Sequence, residues 1–248
     1  MLLIELRDYI GSLLEVGRFR DYCPNGLQVE GKAEVHRIAT GVTASQRLLD
    51  EATAWGADAI LVHHGYFWRN EDAAITGIKK RRVAHLLQHD VNLLAYHLPL
   101  DAHAELGNNA QLARQLGLVE QGRFGEQDIA CYGELAHVQS LDQFSAHIAT
   151  VLQRPPQVIG EGGQSIRRIA WCTGAAQGYF EAAVALGVDA FLTGEISEQN
   201  VHVAHETGVA FVAAGHHATE RYGVQALGQH LAKRFGIEHR FFDQDNPV

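Results

Sequence analysis

Two segments of this chain repeat each other. RIATGVTASQRLLDEATAWGADAILVHH begins at Arg37, RIAWCTGAAQGYFEAAVALGVDAFLTGE begins at Arg168, and the two align without a gap. Arg-Ile-Ala, Ala44/Ala175, Gln46/Gln177, Gly56/Gly187, Asp58/Asp189 and Leu61/Leu192 coincide. Each copy reads as a short apolar strand, an amphipathic helix stopped by glycine, and a second apolar strand. A duplicated unit of this kind restricts the fold to α/β, built from two similar halves.

The next strands match in kind as well. VNLLAYHLPLD ends with His97 and Asp101, and VAFVAAGHHATE ends with His216, His217 and Glu220. Elsewhere the periodicity predicts a helix from about Leu3 to Val16, strands at Ile38–Val42, Ala59–Val62 and Val91–Tyr96, and helices at Ser45–Trp55, Arg82–His89 and Gly107–Leu116. Gln121–Gly163 is less regular, with a strand near Ile129–Leu135 and a helix near Leu141–Leu152. Pro99 is expected to keep Leu98 out of helical geometry, so that His97 and Asp101 meet through a turn.

In open α/β sheets, ligands bind beyond the carboxyl ends of the strands. Those ends carry His63, His64, His97, Asp101, Glu195, His216 and Glu220. If the lobes face each other, these groups meet in one metal cleft between them. Imidazole and carboxylate form a nitrogen/oxygen ligand set for zinc, iron, manganese, nickel or copper. Residues four apart share a helix face, so His216 and Glu220 can reach one ion while His217 points elsewhere. The set exceeds what one catalytic zinc requires, which suggests two ions and a carboxylate bridging them. No GxSxG elbow offers a serine nucleophile.

Composition narrows the function further. Fifteen histidines stand against 3 cysteines, and no CxxC pair exists, so neither a thiolate zinc site nor a disulfide framework is indicated. A cytoplasmic location is the expectation. The N-terminal segment mixes Glu5, Arg7 and Asp8 with apolar residues, unlike a signal peptide, and no apolar run approaches membrane-spanning length. A net charge of −9 disfavours nucleic acid and anionic membranes as partners. Lys79–Arg82 reads as a solvated helix start. Most other histidines read as surface or packing residues, with His202 and His205 on a helix after Glu195.

"PNGLQVEG", "GVTAS", "LVHHG", "HLPLDAHAELGNN", "DAFLTGEISEQ" and "AGHHATE", in this order, resemble the Nif-three-like dinuclear metal-centre family in its bacterial YbgI-type branch. The resemblance spans nearly the whole chain. It implies a Nif-three-like fold of two similar α/β lobes related by a pseudo-twofold axis, without an inserted domain, with lobe one at about 1–120 and lobe two at about 121–248. It also implies a homohexameric toroid, a trimer of dimers, and two divalent metal ions per subunit. By motif, the metal ligands would be His63, His64, Asp101, His216 and Glu220, with His97 a nearby contributor. Glu195 and His97 would move protons. Members are often labelled homologues of a GTP cyclohydrolase, which implies a hydrolase acting on a small-molecule substrate, a purine nucleotide. The alternative is a metal-handling protein or ring scaffold without turnover, associated with nucleic acid if its pore is locally basic.

Overall fold

Apolar runs bounded by capped helices become buried strands here. The computed structural model describes residues 1–248. In chain order the elements are α1 (Leu3–Leu13), β1 (Gly26–Val29), β2 (Arg37–Thr43), α2 (Gln46–Trp55), β3 (Ala59–His64), α3 (Gly77–Gln88), β4 (Asn92–Ala95), α4 (Leu98–Ala102) and α5 (Asn108–Leu116). Then follow β5 (Leu118–Phe124), β6 (Ala130–Ser140), α6 (Leu141–Leu152), β7 (Gln157–Ile159), β8 (Ser165–Trp171), α7 (Phe180–Ala185), β9 (Ala190–Thr193), α8 (Glu198–Thr207), β10 (Ala210–Ala213), α9 (His216–Thr219), α10 (Arg221–Phe235) and β11 (Glu238–Phe241). No helix is long and apolar enough to cross a membrane.

The chain forms two compact units, Met1–Gly107 with Gly223–Asp245, and Asn108–Tyr222 with Asn246–Val248. The first holds a five-stranded sheet in the order β1-β4-β3-β2-β11. Its four strands β4, β3, β2 and β11 are parallel, and β1 closes the edge antiparallel to β4. Side chains alternate across a strand. Ala39, Ile60, Val62, Leu93 and Ala95 therefore pack on one face with α2 residues Leu48, Leu49 and Ala52. Ile38, Ala59, Leu61, Leu94 and Tyr96 pack on the other with Leu6 and Ile10 of α1 and Leu227 and Leu231 of α10. Burial on both faces explains why β3 reads as an unbroken apolar run until its two histidines.

The second unit holds a six-stranded sheet in the order β5-β6-β8-β9-β10-β7. Its centre, β8-β9-β10, is parallel, and its flanks are antiparallel. Trp171, Leu192 and Val212 pack with α6 on one face. On the other, Phe180, Phe191 and Phe211 form a ring cluster with centroids 4.9–5.9 Å apart.

The duplication is visible in register as well as sequence. Ile38 pairs with Ala59 across β2-β3, and Ile169 pairs with Ala190 across β8-β9, the positions that the sequence repeat equates. Asp58 Oδ2 accepts the backbone N–H groups of His36 and Arg37 at 2.9 and 3.0 Å. Asp189 Oδ2 accepts those of Arg167 and Arg168 at 2.9 and 2.8 Å. Gly56 and Gly187 end their helices at φ 84° and 67°, where only glycine sits without cost.

Two local expectations are corrected. Leu98–Ala102 is a short helix, with His97 as its N-cap and Pro99 in its first turn. Proline is tolerated there because a first-turn residue needs no intrahelical N–H bond. The helix expected over Arg82–His89 starts at Gly77, so the basic run Lys79–Arg82 lies inside α3.

Candidate metal centre

In the first unit, β3 delivers His63 and His64 at its carboxyl end, and the β4–α4 junction delivers His97 and Asp101. His63 is fully buried and Asp101 is 6% exposed. The rings of His63, His64 and His97 lie with centroids 4.6–5.7 Å apart. Their ligand nitrogens lie within 4.8 Å of one another. Three imidazoles packed this closely suit a cation at their centre.

Hydrogen bonds fix which nitrogen each ring presents. A carbonyl or an ionised carboxylate only accepts, so an imidazole nitrogen facing one must carry the proton. His63 Nδ1 donates to the Tyr96 carbonyl at 3.0 Å. His97 Nδ1 donates to Asp21 Oδ1 at 2.7 Å. In both rings Nε2 is then the nitrogen that could serve a metal, an arrangement by which an outer partner orients a metal-binding histidine. His63 Nε2 then faces Asp101 Oδ1 at 3.5 Å. His64 Nδ1 lies 3.1 Å from Thr43 Oγ1. Asp101 thus lies against His63, and His97 takes Asp21 instead of turning to Asp101.

Asp21 has no place in the sequence reading. Its side chain is 3% exposed and accepts four hydrogen bonds, from His97, Asn25 Nδ2 at 2.8 Å, Leu98 N at 2.9 Å and Tyr22 N at 2.6 Å. Burial pulls its pKa upward, but His97, Asn25 and the Tyr22 N–H outweigh burial and hold it at about 2. It is a permanent negative charge behind His97. Cys23 packs beside this pair, and its thiol is pushed up to about 12, by burial and then by Asp21.

The second unit builds a counterpart at the carboxyl ends of β9 and β10. His216 opens α9 and Glu220 caps its end. His216 Nδ1 donates to Glu195 Oε1 at 2.7 Å, and Nε2 lies 3.2 Å from Glu220 Oε2. Burial alone would lower the His216 pKa, but Glu220 and then Glu195 outweigh it and raise it to about 9. His217 is 7% exposed, and its backbone N–H donates to the Val248 carbonyl.

Gly174, also missed by sequence reasoning, makes this pairing sterically possible. It adopts φ 70°, and a Cβ there would fall well inside contact distance of Glu220 Oε1 and 3.2 Å from His216 Nε2. Its N–H donates to Thr219 Oγ1 at 3.1 Å, and its carbonyl accepts from Thr193 Oγ1 at 3.1 Å. Other histidines serve packing or surface pairs. His85 bonds Thr53 at 3.1 Å, His239 bonds Thr40 at 2.9 Å, His230 bonds Tyr9 at 2.6 Å, and His202 pairs with Glu198 at 3.0 Å.

Both units therefore oppose an imidazole Nε2, pinned through Nδ1, to a carboxylate oxygen. Two lone pairs so placed repel unless a cation lies between them. Apo His216 meets this demand with a proton, and a divalent ion meets it with higher charge. The donor set fits a borderline divalent metal.

The profile of the Duf34/NIF3 (NGG1p interacting factor 3) family matches residues 1–247. A Pseudomonas aeruginosa protein named "GTP cyclohydrolase 1 type 2 homolog" is 57% identical over 238 residues, 95% of this chain and 94% of that one. The solved structure of protein ybgI, described as of unknown function, superposes with a TM-score of 0.96 at 47% identity and covers 100% of both chains. The crystal structure of a Thermus thermophilus protein gives 0.91 at 34% identity, again with 100% of both chains covered. With a profile match over almost its whole length and relatives of this similarity, the chain belongs to the Duf34/NIF3 family.

Proposed function

We propose that this protein is a metal-dependent hydrolase in which His63, His64, Asp101, His216 and Glu220 hold two divalent ions. The observation that carries the reading is the pinned imidazole Nε2 opposed to a carboxylate, found once in each unit. When bound, such ions supply Lewis acidity toward a substrate oxygen and acidify a water. The protein's own groups handle the protons. His97, with its Nδ1–H fixed on Asp21, offers Nε2 as an acceptor. Glu195 accepts the Nδ1–H of His216 and keeps the ring from turning.

The relatives' name supports a purine nucleotide, GTP, as substrate. The proposed reaction consumes two waters, one at each imidazole C–N bond of C8. The first opens the ring to a formamide, and the second releases formate and leaves both nitrogens on the product. The reading includes a homohexameric ring, from the family resemblance, and a cytoplasmic location, from the cysteine usage. Sedimentation velocity tests the ring.

The deciding experiment is elemental analysis of protein purified without added metal, beside Asp101→Ala, His216→Ala, His217→Ala and Glu220→Ala. The reading expects about two ions in the parent and in His217→Ala, and fewer in the other three. It also expects formate from GTP that stops on chelation and returns with one metal. Equal metal in all five proteins would sink the ligand assignment. Metal without formate or any other hydrolysis would move the protein to metal handling.

A further inference from the structure

The segment after β3 contains a feature that the metal ligands do not explain. Trp68 stands edge-on to His97, with ring centroids 5.1 Å apart and planes at 86°. Its ring is also 6.0 Å from that of His64. Two of the three clustered imidazoles thus share an indole neighbour.

This neighbour is held in place rather than left loose. The Trp68 N–H donates to Glu71 Oε2 at 2.9 Å, and indole Nε1–H donates to the Gly65 carbonyl at 3.2 Å. Glu71 is fixed in turn by Lys79 at 2.8 Å. Tyr66 anchors the segment's start, with O–H donating to the Ala44 carbonyl at 2.8 Å. Phe67, directly before Trp68, adopts φ 65°. A bulky residue in left-handed geometry stores strain, which persists only where surrounding contacts over-determine it and which clusters at ligand sites.

A cationic, aromatic lip adjoins the indole. Tyr22 is 50% exposed, and its ring lies 6.4 Å from that of His97. Arg69 lies over the Tyr22 ring at 5.5 Å, and its Nη2 donates to the Asp21 carbonyl at 2.7 Å. A group serving only to shield the histidines from water would not need an exposed guanidinium stacked on an exposed phenol. Fixed aromatic faces stack planar rings, and a guanidinium binds anions.

We propose that Trp68 is the stacking platform for a planar heteroaromatic ring of the substrate, with Tyr22 and Arg69 forming the lip that takes its anionic group. This inference takes the location of the site from the metal-dependent reading above and adds the residues that select the ligand.

The test is calorimetric titration of the full, metal-loaded chain with GMP and with ribose 5-phosphate, which lacks the ring. Parent, Trp68→Phe, Trp68→Ala and Arg69→Gln are compared, with metal content and circular dichroism measured on each. Trp68→Ala should weaken GMP roughly tenfold or more, while Trp68→Phe keeps most of the affinity. Ribose 5-phosphate should bind the parent and both Trp68 variants alike, and Arg69→Gln should weaken both ligands. The inference is overturned if GMP binds the parent no better than ribose 5-phosphate or if Trp68→Ala binds GMP like the parent. Metal lost in step with GMP affinity would overturn it too, because Trp68 would then belong to the metal site's frame. If Trp68→Ala does not fold, the Trp68→Phe and Arg69→Gln titrations decide. Ring-dependent binding without any turnover would sink the hydrolase reading and leave this one standing. Turnover indifferent to Trp68 would do the reverse.

Discussion

Replacing Gly174 by alanine should disable the metal half-site of the second unit, and the size of the effect can be worked from geometry. The new methyl would overlap Glu220 Oε1 and sit 3.1 Å from Glu220 Cδ and 3.2 Å from His216 Nε2. Restoring contact distance moves the carboxylate by roughly 1 Å in a close-packed region. The φ of 70° adds the cost of an L-residue in left-handed geometry, about 1–2 kcal/mol. Overpacking adds about 1–3 kcal/mol. A ligand displaced by ~1 Å is far outside the tolerance of a functional site, and a loss of roughly 100-fold in metal affinity is expected.

Two controls separate the causes. Gly208 has φ 72° and nothing within 4 Å of its Cβ position, so Gly208→Ala carries the backbone cost alone. Gly178 has neither a positive φ nor a neighbour within 4 Å, so Gly178→Ala should be silent. Urea unfolding of chelator-treated protein measures stability, and competition with a chelator of known affinity measures metal binding. Gly208→Ala should lose about 1 kcal/mol and keep parent metal affinity. Parent-like metal affinity in Gly174→Ala would refute the steric argument. An affinity loss shared equally by Gly208→Ala would assign the effect to general destabilisation.

Other outcomes follow from the same contacts. Metal must displace the His216 proton, so apparent affinity should climb with pH up to about 9 and then level off, and Glu195→Gln, which removes one raising charge, should shift the break downward. A break unmoved by Glu195→Gln would contradict the cause given. Asp21 has a folded pKa of about 2 against 3.8, so its stabilisation is present above pH 3.8 and is lost as pH falls toward 2. That shift corresponds to on the order of 2 kcal/mol, and acid unfolding of Asp21→Asn beside the parent should show the gap at pH 6 and its closure near pH 2. Equal stability at pH 6 would discard the idea. Trp68 is one of only 3 tryptophans, so Co(II) bound by the neighbouring histidines should quench a share of the emission that Trp68→Phe abolishes. Identical fractional quenching in both proteins would place the metal elsewhere.

The contrast between sequence and structure follows the range of each interaction. Repeats, apolar runs and helix stops are local, so the α/β class, the duplicated strand–helix–strand units and α6 were legible from spacing alone. His63 and His64 were legible because they interrupt an apolar strand, and His216 with Glu220 because four residues make one helical turn. Tertiary structure decided what lies against these groups. Asp21 reaches His97 across 76 positions of sequence. Gly174 is exceptional only because α9 brings Glu220 onto it. Trp68 looks like any loop aromatic until its neighbours fix it beside His97. Residues 223–245 fold into the first unit because the apolar face of α10 packs with α1, although the repeat places that segment after the second copy. Spacing along the chain pairs His63 with His64 and His216 with Glu220 as candidate ligands, because one strand end or one turn contains each pair. The orientation of His63, His97 and His216 comes from partners distant in sequence, which only packing brings into hydrogen-bond range.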